Sequence, residues 1–221
     1  MKKTTIALLV LAVAMIVPAA SATSVTVYIS LNGGPETVAC TGATGCTFSY
    51  SSGGVTIAPG SGVNTNLPGT SLGTSTTTSL DITNASGGDV TLSIRVLAQG
   101  YTSPAAPYTL KASESETNFQ TGVFTFQTTG SLIGGAACDT TTGTLSEANG
   151  DAGASSAPGV FCAGSNPYDL QSLSNYTLGN GAHITSTAGV TASAVPEPTS
   201  MMLFGSGLLG FAGVIRRKLG K

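Results

Sequence analysis

The chain has 221 residues, of which 8% are charged, compared with about a quarter in a typical soluble domain. Six of the eight basic residues lie near the two ends, so the stretch from Thr23 to Glu197 holds two basic residues against ten acidic ones, a formal net charge of −8. A body this acidic repels phosphate groups, which excludes nucleic acid and makes anionic lipid a poor partner. The scarcity of charged residues also excludes a long coiled coil.

Residues 1–22 have the three parts of a secretory signal peptide. Two lysines follow the initial methionine, residues 6–17 form an uncharged apolar run that we expect to be a signal helix, and Ala20 and Ala22 are small enough for signal peptidase. We predict passage through the export machinery, with cleavage between Ala22 and Thr23. The alternative is an uncleaved membrane anchor, which the short apolar run disfavours.

Residues 23–194 show the period-two alternation of half-buried β-strands. The apolar positions fall into two long sets and four short ones: Val25, Val27, Ile29 and Leu31; Val90, Leu92, Ile94 and Val96; Val55 and Ile57; Leu80 and Ile82; Phe124 and Phe126; and Ile184 beside Ser186. Turn residues separate them at positions 32–34, 52–54, 84–88 and 180–181. The pattern predicts an all-β exported domain, an antiparallel β-sandwich with no helix before Ser200.

The body contains four cysteines, which an exported chain oxidises. Cys40, Cys46, Cys138 and Cys162 allow three pairings, and proximity in sequence favours Cys40–Cys46 together with Cys138–Cys162. The alternative is a metal site. The spacing of the first two cysteines is unusual for zinc, and the chain has a single histidine, His183. We therefore predict disulfides, and neither a metal nor another cofactor.

One pattern of a hydrolase occurs in the body. A G-x-S-x-G sequence around Ser71 is followed in hydrolase order by Asp139 or Asp169 and then by His183. A nucleophile elbow requires a helix directly after the serine, whereas residues 74–78 are serine and threonine and lead into a predicted strand. This pattern is common by chance in a chain rich in glycine and serine, so we predict that no residue is catalytic.

A pair of carboxylates could also serve glycoside hydrolysis. Glu114 and Glu116 lie close together in a polar segment without aromatic residues to hold a sugar ring. We expect this segment to be a solvated loop or an edge strand.

The chain end, residues 195–221, combines a proline-rich segment, an apolar stretch and a basic cluster. The segment contains Pro196, Glu197 and Pro198, the uncharged stretch covers residues 200–215, and the cluster is Arg216, Arg217 and Lys218. As a helix the stretch would be about 24 Å long, which predicts a single transmembrane helix somewhat shorter than a typical span. The basic cluster would remain in the cytoplasm and stop transfer, leaving the body outside.

This order of features resembles the PEP-CTERM sorting signal of surface proteins from Gram-negative bacteria that have an exosortase. The resemblance covers residues 195–221, and the strands before it are similar to the exported β-domains that precede such signals. It implies that an exosortase, a membrane transpeptidase, recognises Pro196, Glu197 and Pro198, cuts the chain near them and passes on the body. It also implies passage from the inner membrane to the cell surface or to an extracellular matrix of biofilm polysaccharide.

The sequence therefore predicts a non-enzymatic exported protein with a signal peptide (residues 1–22), a β-sandwich (23–194) and a sorting signal (195–221). Three alternatives remain open. The body could be a sugar-binding or adhesive module with extracellular polysaccharide as its partner, the chain could be a permanently anchored single-pass membrane protein, or it could be an exported hydrolase.

Overall fold

The computed structural model describes residues 22–65, 73–102, 108–118, 124–133, 140–141, 145–148, 153–158, 167–194 and 206–207. They form the strands β1 (Ser24–Leu31), β2 (Thr37–Gly42), β3 (Gly45–Ser52), β4 (Val55–Thr65), β5 (Gly73–Thr78), β6 (Leu80–Asn84), β7 (Val90–Tyr101), β8 (Tyr108–Asn118), β9 (Phe124–Ile133), β10 (Thr140–Thr141), β11 (Leu145–Ala148), β12 (Gly153–Pro158), β13 (Tyr168–Leu178) and β14 (His183–Ala194).

These strands form two seven-stranded sheets in which all the described pairs are antiparallel. Sheet A has the order β10-β9-β13-β7-β1-β2, and β11 also pairs with β9. Sheet B has the order β12-β8-β14-β5-β4-β3, and β6 pairs with both β14 and β4. The all-β antiparallel architecture predicted from the sequence is confirmed for the described residues of the body.

The sheets pack face to face because the alternating apolar residues of both sheets point into one core. Val25, Val27 and Ile29 of β1 are buried, as are the alternate residues of β7 from Val90 to Ala98. They join buried side chains of sheet B, including Ile82 and Ile184, in a single cluster. Most residues on the opposite face of these strands are at least partly exposed, as the period-two pattern requires.

One strand position in sheet B is occupied by two short strands. β5 and β6 both lie between β14 and β4, β5 pairing with residues 189–192 and β6 with residues 183–186 of β14. Ser79, which separates β5 from β6, has a φ of 34°. This left-handed backbone geometry, rare for a residue other than glycine, interrupts the ladder and divides one long strand into two.

The strand registers define two poles of the sandwich. β1 begins beside the end of β7, since Ser24 pairs with Gln99, and β13 begins there too, since Tyr168 pairs with Tyr101. We call this end the terminal pole. β13 crosses the molecule to residues 179–182, where β14 begins, so β14 returns to end at the terminal pole beside the start of β8.

We call the opposite end the turn pole; its turns were predicted from Gly, Asn and Ser at positions 32–34, 52–54, 84–88 and 180–181. The buried Asn84 side chain joins two of them, because its Nδ2 donates to the carbonyl oxygens of Gly88 (2.9 Å), Leu178 (3.0 Å) and Gly179 (2.9 Å). Gly181 N also donates to the Asn84 carbonyl oxygen at 2.8 Å. The turns therefore hold one another and link the two sheets.

The Cys40–Cys46 disulfide is present, as predicted, with a Cα–Cα distance of 6.0 Å. It joins β2, at the edge of sheet A, to β3, at the edge of sheet B. The bridge therefore closes one side of the sandwich near the terminal pole. The other predicted pair, Cys138 and Cys162, lies outside the described residues.

The expectation of a solvated loop or edge strand around Glu114 is wrong. Residues 111–116 belong to β8, which is an interior strand paired with both β12 and β14. Glu114 is 3% exposed because it lies on the same face of β8 as Leu110 and Ala112, which also face the core. The sequence suggested solvent exposure because the segment is polar. However, every second residue of the segment lies on the inward face of the strand.

The helices predicted at the two ends lie outside the described residues. No helix in the described part of the chain combines the length and the hydropathy required to cross a membrane.

Candidate functional site

The terminal pole contains the end of the body at which the predicted sorting signal begins. β14 pairs with β8 along its full length after His183, and its last residue, Ala194, pairs with Tyr108. On its other side, β14 pairs with β5 up to Ala192. Val190 and Ala192 are fully buried. The chain is therefore held in a central strand up to the residue before the predicted signal.

The amino-terminal end of the predicted mature body lies at the same pole. Thr23 donates two hydrogen bonds to the Gln99 carbonyl oxygen, from its backbone nitrogen at 2.8 Å and from its Oγ1 at 3.1 Å. Ala22, the residue before the predicted cleavage site, is 6% exposed, and Ala20 lies outside the described residues. Both predicted processing sites thus adjoin one end of the sandwich.

Two tyrosines and an aspartate stabilise this pole. The rings of Tyr101 and Tyr168 stack with centroids 5.3 Å apart, and the Tyr101 hydroxyl donates to the Thr74 carbonyl oxygen across the two sheets. Burial raises the pKa of Tyr101 well above its usual value. Asp169 accepts hydrogen bonds from Gly100 N at 2.9 Å and from Gln99 Nε2 at 3.2 Å. These contacts were not predicted from the sequence because they join segments far apart in the chain.

The other residues of the predicted signal lie outside the described part of the chain. These are Pro196, Glu197, Pro198, Arg216, Arg217 and Lys218. Their roles remain predictions from the sequence.

Two residues of the hydrolase pattern, Ser71 and Asp139, lie outside the described residues. The G-x-S-x-G sequence leads into strand β5 and not into a helix. His183 Nε2 lies 2.6 Å from Asp81 Oδ1 on the outer face of sheet B. Asp169 belongs to the terminal pole, about 30 Å along β13 from the turn pole where His183 lies. Among the described residues, the acidic neighbour of His183 is therefore Asp81 and not Asp169.

The outer face of sheet A carries Arg95, the only arginine in residues 23–194 of the sequence. Arg95 Nε donates to Glu36 Oε1 at 2.9 Å, and a second nitrogen donates to Glu36 Oε2. This hydrogen bonding lowers the pKa of the Glu36 carboxyl. The guanidinium carbon also lies 3.9 Å from the centroid of the Tyr28 ring, so one face of that ring is already covered.

Most of the described tyrosines offer little exposed ring surface for stacking on a sugar. Tyr101, Tyr168 and Tyr176 are at most 1% exposed, and Tyr28 is covered by Arg95. Tyr50 packs against the core. The structure therefore adds no aromatic platform, among the residues it describes, to the sugar-binding alternative.

Several solved structures show limited similarity to the chain. A carbohydrate-binding module, TmCBM61, solved with a galactotriose, is 6% identical with a TM-score of 0.30, covering 53% of this chain and 70% of that one. The family 11 carbohydrate-binding module from Clostridium thermocellum is 8% identical with a TM-score of 0.31, covering 78% and 98%. The mannan-recognising module TmCBM27 is 8% identical with a TM-score of 0.34, covering 69% and 90%. Scores this low support no conclusion about what the present chain binds.

Sequence comparison is informative at the carboxyl-terminal side of the body. No curated protein is similar enough to this chain to count as a match. The family model described as the PEP-CTERM protein-sorting motif matches residues 194–218, beginning at the last residue of β14. The chain thus carries a PEP-CTERM protein-sorting motif joined directly to the central strand of a β-rich body.

Proposed function

We propose that the protein is a non-enzymatic surface or matrix protein, exported through its signal peptide and cleaved by an exosortase at its sorting motif. The observation that carries this proposal is the family match over residues 194–218. A sorting motif implies an exported chain and an exosortase as its processing partner. The predicted signal peptide supplies the export step that such a partner requires.

In this mechanism the present chain is the substrate. The enzyme recognises its motif, and the nucleophile belongs to the enzyme. The apolar stretch and the basic cluster hold the chain in the membrane. Pro196 and Pro198 favour extended backbone before them and keep the cleavage region out of the membrane helix. The cell surface or the extracellular polysaccharide matrix of a Gram-negative biofilm is the proposed destination of the released body.

The sugar-binding alternative has no specific support in the described residues. It predicts that the body stays bound to polysaccharide from its own host and that competing sugar releases it. The hydrolase alternative has less support, since the sequence around Ser71 continues into strand β5.

The experiment follows removal of the tail in the native host. Pulse-labelled chains carrying Pro196→Ala, Glu197→Ala and Pro198→Ala together should keep their tail, while wild-type chains lose it. Thr199→Ala, in the same segment, is the matched control and should be processed normally. Deleting the exosortase should reproduce the triple variant.

Two results would contradict the proposal. Normal processing of the triple variant would show that the motif is not recognised. A wild-type tail that is retained in every strain would identify the chain as a permanent single-pass membrane protein.

A further inference from the structure

We propose that the terminal pole is the face of the body directed at the membrane and its processing enzyme, with the turn pole presented outward. This inference rests on the membrane-held stage of the proposed function. It goes further, because it assigns an orientation to the folded body while its tail is still attached.

The two ends of the body lie at the same pole. Thr23 is hydrogen-bonded to Gln99 at the end of β7, and Ala194 is paired with Tyr108 at the start of β8. The strand registers bring both sites to the terminal pole. A signal helix before Thr23 and a membrane helix after Ala194 would therefore both extend from one end of the sandwich.

The connection from the end of β14 to the predicted membrane stretch is short in sequence. The apolar stretch begins at Ser200, soon after Ala194. The connection from position 194 to position 200 reaches at most about 20 Å when fully extended. The end of β14 is therefore held within about 20 Å of the membrane surface.

Strand β14 cannot easily unravel to lengthen this connection. Its end is bonded to β8 up to Ala194, and Val190 and Ala192 are fully buried between the sheets. Peeling the strand away would break its ladder and expose those side chains to water. The enzyme must therefore accept a substrate that is folded almost as far as Pro196.

Charged side chains are distributed unevenly between the two poles. Among the described residues, Asp89 lies in a turn at the turn pole and Asp81 pairs with Thr185, near the start of β14. Toward the terminal pole, the positive charge of Lys111, which pairs with Thr191, offsets the negative charge of Asp169. These charges favour the terminal pole as the side closer to an anionic bilayer.

The length of the strands makes the orientation measurable. The 12 residues of β14 span about 40 Å between the two poles. Ala43, in the turn between β2 and β3, and Ala85, between β6 and β7, are both exposed alanines at opposite poles. They are a matched pair of labelling sites that leaves the cysteines unchanged.

The test uses the full chain, with a fluorescent non-natural amino acid at position 43 or 85. Each protein is reconstituted into vesicles of phosphatidylethanolamine and phosphatidylglycerol containing a headgroup-labelled acceptor lipid. We expect energy transfer from position 43 to be several times greater than from position 85. Proteins that span residues 23–199, without the apolar stretches at either end, are the control and should show no transfer from either site.

Equal transfer from the two sites, or greater transfer from position 85, would overturn the inference. Absence of transfer from both sites would overturn it too, because the chain would then not be held by its tail. The proposed function is tested separately, since no enzyme is present in the vesicles. A body oriented as proposed whose tail is never removed in the host would refute the cleavage but not the orientation.

Discussion

At the scale of single residues, Asn84 does most to join the two sheets at the turn pole. Its buried amide donates to three carbonyl oxygens, and its Oδ1 accepts from Ser86 N at 3.0 Å. An asparagine in a predicted turn suggests only a local role. Its bonds to Leu178 and Gly179 cross to a distant segment of the chain, which no local pattern encodes.

Replacing Asn84 with alanine should destabilise the body by about 3 kcal/mol, because it leaves buried carbonyl groups without their donor. Asn175→Ala is the matched control. Asn175 is exposed and bonded to Ser93 on the outer face of sheet A, so its loss should cost less than about 0.5 kcal/mol. Urea unfolding of the purified chains measures both changes. Equal losses of stability in the two variants would show that the Asn84 contacts stabilise the fold no more than those of an exposed asparagine.

Tyr101 should make the protein less stable in alkaline solution. Its pKa is raised in the folded state by burial, so above about pH 10 the unfolded chain loses a proton that the folded chain retains. The free energy of unfolding must then fall as the pH rises. The stability falls in this direction because the Tyr101 hydroxyl ionises at a lower pH in the unfolded chain than in the folded one.

Tyr101→Phe isolates this effect. At about pH 8 the variant should be less stable than wild type by about 1 kcal/mol, because the hydrogen bond to Thr74 is lost. The difference should shrink as the pH rises past about 10, since the wild type alone has this hydroxyl to ionise. A difference that stays constant in urea unfolding across this range would contradict the assignment.

At the scale of elements, alternation predicted the strands because each sheet buries one face and leaves the other toward solvent. The strands predicted around Val27, Leu92 and Ile82 were correct for this reason. Strand order was not predictable, because pairing such as β13 with β7 joins segments far apart in the chain. The exposure of Glu114 was misjudged, since burial there is imposed by the neighbouring strands and not by local composition.

The candidate site was partly predictable for a related reason. The sorting motif is a local order of residues and was recognisable from the sequence, as the family match at residues 194–218 shows. The contact of Thr23 with Gln99, and the return of β14 to the same pole, depend on the topology of both sheets. Cys40–Cys46 was predictable because the two cysteines are close together in the sequence.

The Cys40–Cys46 bridge should stabilise the body by about 2 kcal/mol on the chain-entropy model. The double variant Cys40→Ser and Cys46→Ser should therefore unfold at a lower urea concentration. Thr47→Ser, at an exposed position of β3, is the control and should leave the midpoint almost unchanged. A double variant as stable as wild type would show that the bridge does not stabilise the closed edge.

At the scale of the whole molecule, a two-sheet β body directly precedes a sorting motif. The core joins both sheets, the disulfide closes one edge, and β14 leads from the turn pole to residue 194, where the motif begins. The turn pole lies at the far end from both predicted processing sites. Under the proposed function, it is therefore the part of the body best placed to meet other components at the cell surface or in the matrix.

The most direct test of this account is peptide mass spectrometry, without reduction, on the mature protein from its native host. The account predicts a chain that begins at Thr23 and ends within residues 196–199, with Cys40 linked to Cys46 and Cys138 linked to Cys162. Recovery of residues 201–221 still attached to the mature body would contradict it, and would identify the protein as a single-pass membrane protein that no exosortase processes.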